Sequence, residues 1–202
     1  MIKLFKFLAA PLLALSLAAC NSGTPEAAKG EAPATTEQSS GQDTQATTQQ
    51  AEEDIVYLDL KDGRVTIRLR PDLAPKHVAR IKTLTGQGFY DGIVFHRVID
   101  GFMAQVGCPH GIGTGGSSKP DLKAEFNEEP HVRGTCSMAR AQNPDSANSQ
   151  FFICFEDAPF LNRQYTVWGQ VIEGMENVDQ IKRGEPVKDP DSIVSMKVAS
   201  AL

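Results

Sequence analysis

The chain has 202 residues, a formal net charge of −5 and an apolar fraction of 41%. That length holds one domain with appendages or two small domains, and the apolar share is enough for a real core. The mild acidity gives no reason to expect nucleic acid, which calls for a basic face, and no apolar run is long enough for a transmembrane helix in the mature protein.

The chain divides into three segments of different composition. The first, Met1 to Cys20, reads MIKLFKFLAAPLLALSLAAC. Lys3 and Lys6 give a positive start, an apolar run follows, and small residues close it. This is the pattern of a secretory signal, too short to span a bilayer permanently. A buried amphipathic helix is the plainer alternative, but no charge follows Lys6 to give it a polar face. Leu17-Ala18-Ala19-Cys20 resembles the bacterial lipobox. The resemblance implies a signal peptide over residues 1–19 and Cys20 as the lipid-bearing first residue of the mature protein; cleavage after Ala19 without lipid is the competing reading. A lipid on Cys20 would anchor the protein to a membrane of the cell envelope, outside the cytoplasm and facing the periplasm in a Gram-negative cell. The inner and the outer membrane both stay open.

The second segment, Asn21 to Glu53, contains no Val, Ile, Leu, Met, Phe, Trp or Tyr. It is rich in Thr, Gln, Ala and Glu. Such a stretch cannot bury enough surface to offset its ordering entropy. With Cys20 it makes a disordered tether over residues 20–53, whose ends would lie roughly 30 Å apart on average.

The third segment, residues 54–202, carries every aromatic residue except Phe5 and Phe7, and its length suits one core. Ile55 to Leu60 is β-rich, and Lys61 to Arg64 reads as a turn with Asp62-Gly63 as its hairpin signal. Val65, Ile67 and Leu69 alternate with polar neighbours as a half-buried strand. Ala74 to Leu84 reads as a helix, with Pro75 in its first turn and Val78, Ile81 and Leu84 on one face. Val94–Ile99, Met103–Gly107, Gln150–Phe155, Tyr165–Ile172 and Ile193–Val198 read as strands. Met175, Val178 and Ile181 mark a second short helix that stops by Gly184. Many short strands with two helices favour a closed antiparallel barrel over a βαβ sheet.

Three stretches carry the chemistry: Phe95-His96-Arg97-Val98-Ile99-Asp100-Gly101-Phe102-Met103-Ala104-Gln105; Ser137-Met138-Ala139-Arg140-Ala141, continuing to Asn148-Ser149-Gln150-Phe151-Phe152-Ile153; and Phe160-Leu161-Asn162-Arg163-Gln164-Tyr165-Thr166-Val167-Trp168-Gly169. In these blocks, in this order, the chain resembles the cyclophilins, the peptidyl-prolyl cis-trans isomerases, from about Ile55 to Val198. The resemblance implies an eight-stranded closed antiparallel barrel capped by two α-helices, and an enzyme that needs no metal or cofactor. It implies Arg97 and Gln105 as catalytic residues, Gln105 orienting both the arginine and the substrate. Phe102, Met103, Phe152, Leu161 and Tyr165 resemble the family's proline pocket. Ala139, Arg140 and Gln150 match positions along its peptide groove, with Arg140 acting mainly through its backbone. The implied partners are X-Pro segments of unfolded or exported polypeptides, and the domain is expected to be a monomer.

Elementary chemistry explains why such residues are wanted. The partial double bond of a peptide resists rotation with a barrier of about 18–20 kcal/mol, so X-Pro isomerisation takes tens to hundreds of seconds. Reaching milliseconds needs about 10⁴–10⁵-fold, or about 5.5–7 kcal/mol. In the twisted amide the proline nitrogen is pyramidal and regains its lone pair. A fixed cation that donates to it stabilises only the transition state. Arg97, planar and permanently charged, is the candidate. Such a donor supplies about 2.7–4 kcal/mol, so the pocket that holds the ring must share the work.

Some residues depart from the family pattern. Tyr165 stands where many members have His, Phe160 where tight cyclosporin binders have Trp, and Val106 where Gly is frequent. Weak cyclosporin binding is therefore expected. Gly111 to Gly116 matches G-x-G-x-x-G, but Pro120 follows where a dinucleotide site needs a helix, so a loop beside the groove is expected. Cys108 and His110 lack a second pair for zinc. Ser137 and Ser149 show no base partner, which disfavours a serine hydrolase. Cys154 reads as a buried free thiol, and any disulfide among Cys108, Cys136 and Cys154 stays open. A non-catalytic binder of proline-containing segments, acting as chaperone or scaffold, and a structural surface lipoprotein are the competing functions.

Overall fold

The computed structural model describes residues 53–202. The expected signal peptide, the lipid site at Cys20 and the tether up to residue 52 lie outside the described residues.

Strands β1 (Ile55–Leu60) and β2 (Gly63–Leu69) form the antiparallel hairpin that the Asp62-Gly63 signal implies. Their alternating apolar residues, from Val56 to Leu69, point into the core. Helix α1 (Pro75–Gly86) follows, with Pro75 in the first turn, where a missing N–H is harmless. Ala74 gives it no side-chain cap. Glu125 supplies the cap instead, accepting from the backbone N–H groups of Lys76 and His77 and from His77 Nδ1 at 2.7 Å. A carboxylate at this end also meets the positive pole of the helix.

The chain continues through β3 (Arg97–Ile99), β4 (Met103–Val106), β5 (Thr135–Met138), β6 (Phe151–Cys154) and β7 (Val167–Glu173) to helix α2 (Met175–Asp179) and β8 (Ser195–Val198). Among the described residues the eight strands form one sheet in the order β3-β4-β6-β5-β7-β2-β1-β8, antiparallel at every step. The expected mainly β, eight-stranded antiparallel architecture is thus present.

Its regular closure is not. The sheet curls through 203° and leaves no ladder between β3 and β8. Irregular backbone fills the gap: Gly92 N–H donates to Ile193 O at 2.8 Å, Phe95 N–H to Asp191 O at 2.9 Å, and Val98 and Gly184 exchange bonds at 2.8 and 2.7 Å. The cause is local. Pro186 and Pro190 have no N–H to offer a ladder, so the segment before β8 cannot pair continuously. For the same reason the strand expected over Val94–Ile99 shortens to Arg97–Ile99, with Val94 keeping one isolated bridge to Ser192. Helix α2 also ends early, at Asp179, and Ile181 packs from the turn beyond it. Strand β5 carries no alternation, because all four of its residues are buried.

The register sets two faces. Val98, Ala104, Ile153 and Cys136 lie opposite one another across β3, β4, β6 and β5 and belong to the main core. The neighbouring row is Arg97, Gln105, Phe152 and Ser137. Directly paired residues share a face and successive residues alternate, so this second row points away from the main core. Beneath it lies a separate apolar cluster of Met103, Phe152, Cys154, Ala158 and Leu161.

Candidate active site

One pocket of about 140 Å³ is lined by Arg97, Phe102, Met103, Gln105, Ala139, Arg140, Phe152, Leu161 and Tyr165. Nine of the ten site residues expected from the sequence therefore meet in one place. The tenth, Gln150, lines an adjoining groove of about 450 Å³ that shares Gln105, Ala139 and Arg140 with the pocket.

The floor is apolar and buried. Met103 is 1% exposed, Phe152 4% and Leu161 7%. Phe152 meets Tyr165 edge-on at 5.7 Å and stacks over His131 at 6.2 Å. Leu161 ends a single 3₁₀ turn, Pro159–Leu161, which brings the third sequence block over the sheet. Phe102 leans on Phe160 at 5.3 Å, forming an apolar lip.

The polar rim is organised by amides. Gln105 Nε2 donates to Gln150 Oε1 at 2.9 Å. Gln150 Nε2 in turn donates to Gly113 O at 3.0 Å and Gly115 O at 2.8 Å, pinning the glycine-rich loop. That loop leads into no helix. It walls the groove, as expected for a decoy of the dinucleotide motif. Asn148 holds its far end, accepting from Ser117 N–H at 2.8 Å and donating to Lys119 O at 2.9 Å.

Arg97 and Gln105 face each other across β3 and β4. No side-chain bond joins them. Gln105 is turned to Gln150, and Arg97 Nε donates to the Glu185 carboxylate. The pairing follows from reach, since Gln105 stands between the arginine on one neighbouring strand and the glycine loop's anchor on the other side.

The Arg140 side chain is occupied with loop carbonyls, donating to Gln164 O, Ala141 O and Gln142 O. Its guanidinium also stacks 4.6 Å from the Tyr165 ring centre. Its backbone N–H and C=O have no partner among the described residues, which leaves them open to an extended peptide.

Ser137 corrects the expectation that no base lies near it. His131 Nε2 is 3.1 Å from Ser137 Oγ. Both are buried beneath Phe152, at 1% and 0% exposure, and Ser137 Oγ also bonds Thr166 O at 2.9 Å. The pair supports the floor and has no path to a substrate. Burial holds the His131 imidazole below its usual range, against a small opposing effect of Asn162. From the sequence His131 reads only as a surface or core histidine; its buried place under the pocket gives it the supporting role. The decoy pair separates: Cys108 is buried and His110 exposed. Cys108, Cys136 and Cys154 are all free thiols, and burial pushes Cys154 up to about 12.

Residues 55–200 match the family described as cyclophilin type peptidyl-prolyl cis-trans isomerase/CLD. The chain belongs to the cyclophilins. It is an isomerase of the peptidyl-prolyl cis-trans class. A probable peptidyl-prolyl cis-trans isomerase of Brucella suis is 57% identical over 162 residues, covering 72% of this cyclophilin and 83% of the relative. Peptidyl-prolyl cis-trans isomerase B of Bacillus subtilis is 44% identical over 136 residues, covering 66% and 94%. Among solved structures, a cyclophilin from Hirschia baltica superposes with a TM-score of 0.70 at 28% identity, covering 82% of each chain.

Proposed function

We propose that this cyclophilin speeds X-Pro rotation in exported polypeptides without any covalent step. The carrying observation is convergence: a permanent cation on β3 and a buried apolar floor line the same small pocket. The proline ring seats on Met103, Phe152 and Leu161 under the lip of Phe102. Arg97 donates to the proline nitrogen as it becomes pyramidal. The residues before proline run along the free backbone of Arg140 into the larger groove, where Gln105 and Gln150 offer amide contacts. A Cryptosporidium parvum cyclophilin crystallised in the presence of the dipeptide Ala-Pro, 28% identical with a TM-score of 0.66 over 71% of this chain and 98% of that one, supports a proline-containing ligand.

The floor immobilises the ring while the acyl side turns, and Arg97 favours only the twisted amide. The lipobox-like Leu17–Cys20 and the stretch after it, which lacks large apolar residues, support an envelope location, with a lipid on Cys20 tethering the domain where exported chains emerge. Chymotrypsin-coupled cleavage of an Ala-Pro-Phe peptide tests the activity. Peptide binding with no rate enhancement would replace this reading with a non-catalytic chaperone. Membrane fractionation of wild type and Cys20→Ala tests the anchor, and a Cys20→Ala protein that stays in the membrane fraction would refute it.

A further inference from the structure

Arg97 has a single side-chain partner among the described residues, the Glu185 carboxylate, and Nε is the atom that donates. Glu185 lies 88 positions away but is delivered by backbone. Val98 and Gly184 exchange N–H···O bonds at 2.8 and 2.7 Å, and Val187 N–H donates to His96 O at 3.2 Å. These bonds bracket Arg97 on the strand and Glu185 on the loop. Gly184 adopts φ 153, and a Cβ there would come within 2.8 Å of Pro186 O, so glycine permits the approach. Arg183 pins the loop further, donating to Asp100 at 3.0 Å and stacking 4.1 Å from the Phe155 ring centre.

Arg97 needs such a hold. It sits on a three-residue edge strand, and its side chain is 36% exposed. It lines both the proline pocket and a second cavity of about 530 Å³ walled by His96, Ile112, Glu185 and Pro186. A long side chain at such a junction samples several rotamers. Fixing Nε leaves both terminal nitrogens free to donate. We propose that Glu185 is a positioning residue for Arg97, in the place expected of Gln105. The proposal rests on the reading of Arg97 above.

An exposed ion pair restrains its partners weakly, so Glu185→Ala should lower kcat about two- to fivefold with KM nearly unchanged. Glu185→Gln keeps an acceptor oxygen at the same reach and should recover most of that loss. In an Arg97→Ala background, Glu185→Ala should change nothing. The test is kcat and KM on the Ala-Pro-Phe peptide for these variants of the full chain. Unchanged kcat in Glu185→Ala, the same fall in the Arg97→Ala background, or a rise that marks Glu185 as a competitor for the guanidinium would each overturn the proposal. Full activity in Arg97→Ala alone would instead sink the reading of Arg97, so the two failures are distinct.

Discussion

Arg97→Lys separates charge from geometry. In the structure Nε is committed to Glu185, the terminal nitrogens have no partner among the described residues, and Arg97 lines the small apolar-floored pocket. A lysine keeps the charge but has one compact ammonium, which cannot serve both positions. Removing a preorganised donor outright costs about 2.7–4 kcal/mol of transition-state stabilisation. Keeping the charge without the fork should forfeit about half of that, so kcat/KM should fall about 10- to 30-fold. Arg97→Ala should fall about 10²–10³-fold. Folding should hardly notice either change. The side chain is partly exposed and holds one ion pair, worth at most about 1 kcal/mol, or about 2–4 °C in Tm for a domain of this size. The peptide assay and a thermal melt, run on the same preparations, give both numbers. Wild-type kcat/KM in the lysine variant would show that charge alone suffices, and a melting loss parallel to the activity loss would show that the arginine is structural.

Burial holds His77, His96 and His131 below the usual imidazole range. The unfolded chain then binds more protons below about pH 6.5, so stability is full above that pH and falls as pH drops through the folded values. The urea midpoint should decline on acidification, and His96→Phe should flatten the decline, since burial is the main cause that lowers the His96 imidazole. Gly107→Ala should cost more than about 2 kcal/mol in denaturant unfolding, because φ is 92° and the new Cβ would stand 2.4 Å from Ser149 O. Gln150→Ala should raise KM for extended peptides about fivefold with less effect on kcat, as it releases both Gln105 and the glycine-rich loop. Cyclosporin should bind weakly, since Phe160 is 62% exposed and offers only a phenyl ring to the lip; a nanomolar Kd by calorimetry would refute this.

Local pattern made much of the domain legible. The Asp62-Gly63 turn, the alternation of β2 and the Pro75 helix start are decided by neighbours in sequence. Strand β5 was hidden because both its faces are buried and the two-residue period vanishes. The open ladder between β3 and β8 depends on how Pro186 and Pro190 fall against residues 92–98, which no local pattern encodes. Most of the pocket residues lie in contiguous blocks, so they could be named. Glu185 lies in none of them. Its partnership with Arg97 exists only because Gly184 docks on Val98, and a contact made by two backbones leaves no mark on side-chain chemistry.

The same docking has a consequence for how this protein survives its substrates. On the proposed function its clients are unfolded chains, whose segments seek a strand to pair with, and a bare sheet edge is a template for aggregation. At one edge, both hydrogen-bonding groups of Val98 are taken by Gly184. At the other, Met196 N–H is taken by the Asp91 carboxylate and Lys197 adds charge beside it. The molecule can therefore grip a client by its proline without offering its own sheet as a place to stick.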